Sequence, residues 1–149
     1  MARKNFQITE HFSYEEMTRS DWAEKHHVDN TPDSLQLAAL ENLCRELLEP
    51  LRRQFGPIRI NSAFRSVRVN EGVHGVGNSR HLYGEAADIR IPDLETGRAY
   101  YRFLCRMECI DQLLFEHRRD GAMWIHVSTR LDPRENRHQC FPNYFVNEK

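Results

Sequence analysis

Between Leu40 and Leu51 apolar residues recur at helical spacing, at Leu40, Leu43, Cys44, Leu47, Leu48 and Leu51. That is the stripe of a helix burying one face. Thr31-Pro32-Asp33 predicts its start, with Thr31 as N-cap, Pro32 at the first helical position and Asp33 favourable to the dipole. Gly56-Pro57 ends it, and Pro50 is expected to kink its last turn. Beyond Pro57 the period changes to two. Ile58, Ile60 and Ser62 alternate with Arg59, Asn61 and Ala63, which reads as a strand with one buried face. Further alternating runs cover Glu85–Ile91, Asp111–Glu116 and Met123–Ser128, the last two joined by a connector holding the hairpin signal Asp120-Gly121. Residues 94–107 read as a helix, with Leu94, Tyr101, Leu104 and Cys105 on its apolar side. Ser13-x-x-Glu16 has capping-box form and opens a short helix to about Ser20.

Residues 66–80 carry Gly72, Gly75 and Gly77, which predicts a structured loop with several positive-φ positions. The tail from Arg130 is expected to be irregular, with Phe141, Tyr144 and Phe145 packing back on the core. Helices and antiparallel strands fall in separate groups, so the fold class is α+β, a small antiparallel sheet with helices packed on one face. No repeat, low-complexity run or flexible linker interrupts the chain, and one domain over residues 1–149 is expected.

Composition narrows the function. The 21 Lys+Arg balance 22 Asp+Glu to a net charge of −1, which argues against an electrostatic grip on nucleic acid or an anionic membrane. No apolar run approaches the roughly 18 residues of a membrane span. Met1–Glu10 is polar and lacks the features of a secretory signal, so a cytoplasmic location on synthesis is expected; a monomer is expected as well. Cys44, Cys105, Cys109 and Cys140 form no Cys-x-x-Cys pair, which argues against a zinc knuckle. Free thiols are expected, with a disulfide from Cys140 left open.

The chemistry concentrates in Ser79-x-His81-x-x-Gly84-x-x-x-Asp88 and, far downstream, Trp124-x-His126. Strand alternation puts Ala87, Ile89 and Ile91 on the core side and Asp88 on the other. It does the same for Ile125 and Val127 against Trp124 and His126, and for Leu113 and Phe115 against Glu116. Three strands therefore aim Asp88, His126 and Glu116 at the non-core face. Two imidazoles and a carboxylate are a catalytic zinc set, with a fourth position open to water. Glu116 is the candidate to move protons there. His74, His117 and His138 are expected to be non-ligands.

In these blocks the chain resembles the M15 zinc peptidases. These are D-Ala-D-Ala carboxypeptidases and dipeptidases and related phage endolysins, which share their fold with the hedgehog signalling domain. The likeness runs over about residues 6–137. It takes in Ile8–Phe12, the helix end Leu48–Phe55, Ile60–Arg65, Ser79–Asp88, Asp111–Leu114, Trp124–Ser128 and Asn136-Arg137, and it is greatest to the short single-domain subgroup. The resemblance implies one zinc ion on His81, Asp88 and His126. It implies Ser79 holding the peptide, Arg65 binding a substrate carboxylate or the developing oxyanion, and Trp124 shaping the pocket wall. Some members place the catalytic acid three residues before the last His, where this chain has Met123. Glu116 instead matches members with a Glu ending the preceding strand, and Asp120 is the rival.

Two functions compete. One is a zinc metallopeptidase acting on peptidoglycan stem peptides, as carboxypeptidase or endopeptidase, released to the cell wall if it is a phage-type lysin. The other is a zinc-containing peptide- or cell-wall-binding module that hydrolyses nothing. Glu116 and Arg65 beside the ligands favour the enzyme.

Overall fold

The computed structural model describes residues 5–146. Near the N-terminus, strands β1 (Gln7–Thr9) and β2 (Phe12–Ser13) form a small antiparallel pair, followed by helices α1 (Tyr14–Thr18) and α2 (Asp21–His26). Ser13 caps α1, its hydroxyl accepting from the Glu16 N–H at 3.1 Å, as the capping-box signal predicts. Helix α2, capped by Ser20, is an element the apolar pattern did not reveal.

The long helix begins two residues later than expected. Its N-cap is Asp33, not Thr31, because Asp33 and Gln36 exchange two side-chain-to-backbone bonds of 2.8 Å each, and Thr31 instead hydrogen-bonds Asp29. The helix runs as α3 (Ser34–Leu43), a π-helical stretch (Cys44–Leu48) and α4 (Glu49–Phe55), ending on Gly56 at φ 82. Pro50 acts here, ahead of the last turn. Its missing N–H and bulky ring would spoil a regular bond to the Glu46 carbonyl. The widened turn accommodates this, with the Glu49 N–H reaching back to Cys44 and the Cys109 thiol donating to the Glu46 carbonyl at 3.8 Å.

Strands β3 (Ile60–Ser62), β4 (Ala86–Arg90), β5 (Gln112–His117), β6 (Met123–Ser128) and β7 (Gln139–Phe145) form one sheet in the order β3-β4-β6-β5-β7. The first four are antiparallel neighbours, and β7 runs parallel to β5. That last pairing corrects the sequence reading of an irregular tail and an all-antiparallel sheet. Pro142 weakens the strand signal but is tolerated because β7 lies at the sheet edge. Phe141, Tyr144 and Phe145 do not pack back on the core. They are 42%, 44% and 72% exposed, with Phe145 stacked on His117.

Ile60, Ala87, Ile89, Leu113, Phe115, Ile125 and Val127 meet Leu40, Leu43, Leu47, Leu48 and Leu51 from the long helix in one core cluster. Helix α6 (Leu94–Cys105) closes it with Tyr100 and Leu104. The alternating strand positions are thus sorted as their period dictates, which frees the opposite face for chemistry.

Residues 66–80 are not a loop of positive-φ glycines. They contain α5 (Val67–Gly72), and the left-handed residue is His74 at φ 60. Gly72 and Gly75 serve close approach instead. A Cβ on Gly72 would meet the Trp22 ring at 2.1 Å, and one on Gly75 would meet the Asn70 side chain at 2.0 Å. No helix among the described residues is long and apolar enough to cross a membrane.

Candidate metal centre

Asp88 on β4 stands directly opposite His126 on β6, so the register alone puts their side chains on one face. His81 arrives from a 3₁₀ turn, Arg80–Tyr83, whose two ends are fixed by the flanking motif residues. Ser79 caps it, its hydroxyl accepting from the His81 N–H at 3.2 Å. Gly84 ends it at φ 73, with space for no side chain, since a Cβ would lie 2.4 Å from the Gln36 carbonyl on α3. The Gln36 amide also donates to the Leu82 carbonyl at 3.0 Å. The spacing Ser-x-His-x-x-Gly is therefore a turn locked against the long helix.

The imidazole of His81 is 2% exposed. Its Nδ1 donates to the Ala63 carbonyl at 2.6 Å, which leaves Nε2 with a lone pair facing Asp88 Oδ1 at 3.2 Å. His126 Nδ1 reaches the same oxygen at 2.9 Å, and the two rings meet edge to face with centroids 5.1 Å apart. A nitrogen lone pair and a carboxylate oxygen at such range need a cation between them, a proton or a metal ion. One ligand atom from each of His81, Asp88 and His126 lies within 4.8 Å of the others. Two neutral imidazoles and one carboxylate, the His81 tautomer fixed by a backbone carbonyl, fit zinc.

The electrostatics agree with a cation-seeking site. Burial works to raise the Asp88 pKa, but the charges and hydrogen bonds of His81 and His126 outweigh it and hold the carboxyl well below its ordinary range. Burial pushes the His81 pKa down. For His126 burial also opposes charge, yet the Asp88 hydrogen bond and charge win and raise its pKa.

Arg65 sits on the other oxygen of Asp88. Its Nη2 donates to Oδ2 at 3.3 Å, its Nε to the Ser62 hydroxyl at 3.1 Å and its Nη1 to the Asn70 side chain at 3.3 Å. Its backbone N–H donates to the His81 carbonyl at 3.1 Å. Arg65 is thus brought to the centre through an ion pair with Asp88, and Ser62 and Asn70 fix its orientation. Asn70 is nearly fully buried, and sequence reasoning missed it. Its signal lies only in the α5 turn, which faces the site once the chain has folded.

Glu116 pairs with Trp124, two residues before His126 on β6, and shares the face of Asp88. Burial and the Asp88 charge push its carboxyl up to about 7. The Trp124 indole N–H is buried without a hydrogen bond of good geometry among the described residues, although it lies near enough to Glu116 to favour its charged form. Asp120 lies in the exposed hairpin turn, tied to Arg118 at 2.8 Å and capping the Ala122 N–H. His117 points the other way, stacked between Phe115 and Phe145.

Comparison with known proteins fits this geometry. Over 82 residues the chain is 38% identical to the zinc D-Ala-D-Ala carboxypeptidase of Streptomyces albus G. The matched stretch is 52% of this chain and 30% of that relative, so the chain spans well under half of the relative's length. Residues 10–128, which hold His81, Asp88, His126, Arg65 and Glu116, match the model of the family described as peptidase M15. The chain belongs to the peptidase M15 family.

Proposed function

We propose that this chain is a zinc metallopeptidase that hydrolyses peptide bonds in peptidoglycan stem peptides. The observation that carries the proposal is the convergence of His81, Asp88 and His126 on the non-core sheet face, flanked by a half-buried carboxyl and a guanidinium. His81, Asp88 and His126 would hold the zinc ion, which when bound would supply Lewis acidity.

The protein's own groups divide the remaining work. Glu116, with its carboxyl pushed up to about 7, is poised to accept a proton from water and return it to the leaving amine near neutral pH. Arg65 presents a forked cation for a substrate carboxylate or the developing oxyanion, and its bond to Asp88 sets its position. Trp124 offers a ring wall and an indole N–H with no good acceptor of its own. Ser79 acts chiefly by capping the His81 turn, so its contribution to peptide binding runs through the ligand loop. The D-Ala-D-Ala carboxypeptidase named above makes the terminal stem-peptide bond the first substrate to test, with L-Ala-D-Glu and other endopeptidase cleavages next.

The deciding experiment incubates zinc-loaded protein with defined muropeptides and reads the products by mass spectrometry. Release of D-Ala, or of a shortened stem peptide, supports the proposal and names the bond. Stoichiometric zinc without cleavage of any stem peptide would replace the enzyme with a binding module.

A further inference from the structure

Cys105 is the last residue of α6, and Cys140 lies near the start of β7, far apart in sequence. The fold brings them together with His138, so that one ligand atom from each of the three lies within 4.8 Å of the others. All four cysteines are free, and the two sulphurs here are half-buried while the imidazole is exposed. A cation can therefore enter from solvent.

The cluster is built on fixed backbone. The His138 N–H donates to the Ile110 carbonyl at 3.0 Å and the Gln139 N–H to the Asp111 carbonyl at 2.9 Å, while Cys140 pairs with Leu113. Just before it, Arg137 is clamped on Asp111. His138 adopts the left-handed conformation at φ 50, uncommon for a residue with a Cβ, and this turns its ring toward the end of α6. There Nε2 lies 2.8 Å from the Cys105 carbonyl. With the proton on that nitrogen, Nδ1 keeps its lone pair, the state a ligand requires. Tyr101, one helical turn before Cys105, packs against the same core cluster as Cys105 and Cys140.

We infer that Cys105, His138 and Cys140 form a second metal site, separate from the His81 centre, which takes a thiophilic divalent ion of the zinc class and ties α6 to the edge strand β7. Two thiolates and a neutral imidazole cancel the charge of such an ion, and soft sulphur ligands select it over magnesium or calcium. This departs from the sequence reading, in which His138 is a non-ligand and the missing Cys-x-x-Cys pair argues against a zinc knuckle; spacing alone does not show that two separate segments meet.

The test is a cobalt titration of the fully reduced chain, followed by absorbance. Only sulphur ligation gives an intense thiolate-to-cobalt charge-transfer band, and the His81–Asp88–His126 centre contains no sulphur. One thiolate-bound cobalt per chain, displaced by zinc, is expected. Cys105→Ser and Cys140→Ser should each abolish or greatly reduce the band, and Cys109→Ser should leave it intact. His138→Asn keeps a residue that tolerates the left-handed backbone, so it guards against simple misfolding. It should weaken cobalt binding by at least the ~10–100-fold that even an outer-shell partner is worth. The site is refuted if reduced wild type shows no band, or if the band survives loss of both sulphurs. It is refuted equally if Cys105 and Cys140 join as a disulfide in air and the reduced protein takes up no thiolate-bound metal.

Discussion

Asp111→Asn tests how the end of the chain is held to the sheet that carries the site. The Asp111 side chain has no exposed surface. Arg130 Nε donates to it at 2.8 Å, Arg137 grips it in a fork at 2.9 Å through both Nε and Nη2, and the Arg137 N–H adds a bond at 3.1 Å. Burial alone would raise its pKa, but the Arg137 and Arg130 bonds outweigh it and hold the carboxyl at about 2, against an ordinary 3.8. That gap corresponds to about 2.5 kcal/mol of folding stability. Because the folded value is the lower one, this stability is complete above pH 3.8 and disappears as pH falls through 2. The substitution also takes the carboxylate from Arg137, whereas Arg130 keeps its ion pair with Glu135 at 3.2 Å. Breaking a buried pair costs about 3–5 kcal/mol, but Arg137 is 41% exposed, and water will re-solvate part of the charge. A net loss of roughly 2–4 kcal/mol near pH 7 is therefore expected. Urea unfolding of the wild type and Asp111→Asn from pH 7 to pH 2 measures it. The gap between the two should shrink at the acid end. A loss below about 1 kcal/mol at pH 7, or a gap that does not change with pH, would refute the reasoning.

His126→Ala should lose most bound zinc and all hydrolysis, and chelation of the wild type should abolish activity reversibly; wild-type zinc content in the variant would remove His126 from the ligand set. Glu116→Gln should lower kcat by roughly 10²–10⁴ while zinc content stays unchanged, whereas Asp120→Asn should retain hydrolysis. The same Glu116→Gln change carries a stability sign. A carboxyl raised from 4.5 to about 7 costs the metal-free fold stability as pH climbs through that window. The metal-free variant should therefore exceed the wild type at pH 8 by about 1–2 kcal/mol, discounted for partial exposure, and match it near pH 4; equal thermal melts at both pH values would contradict this. Arg65→Lys should keep fold and zinc yet lose catalytic efficiency, because an ammonium cannot reproduce the fork set by Ser62, Asn70 and Asp88; an unchanged kcat/KM would reduce Arg65 to a structural ion pair. Gly84→Ala forces a Cβ against the Gln36 carbonyl at a left-handed position, and should destabilise by at least about 1–2 kcal/mol and lower zinc affinity; a wild-type melting temperature would argue against the locked turn.

Strand period is local, so the sequence by itself sorted the sheet. Alternation in β4, β5 and β6 put Asp88, Glu116 and His126 on one face before any pairing was known, and the register Asp88↔His126 and Glu116↔Trp124 then made them neighbours. Helical stripes and capping residues are equally local and marked the long helix and α1. Long-range contacts decided the rest. The widened turn ahead of Pro50 is met by the distant Cys109, whose thiol donates to the Glu46 carbonyl. Gly72 and Gly75 look like turn residues until Trp22 and Asn70 arrive on them. The tail became a strand because Asp111, fixed at the foot of β5, captures Arg137 and the backbone that follows it. The same capture delivers His138 and Cys140 to Cys105. No period or spacing encodes such meetings, because each depends on two chain segments arriving at one place.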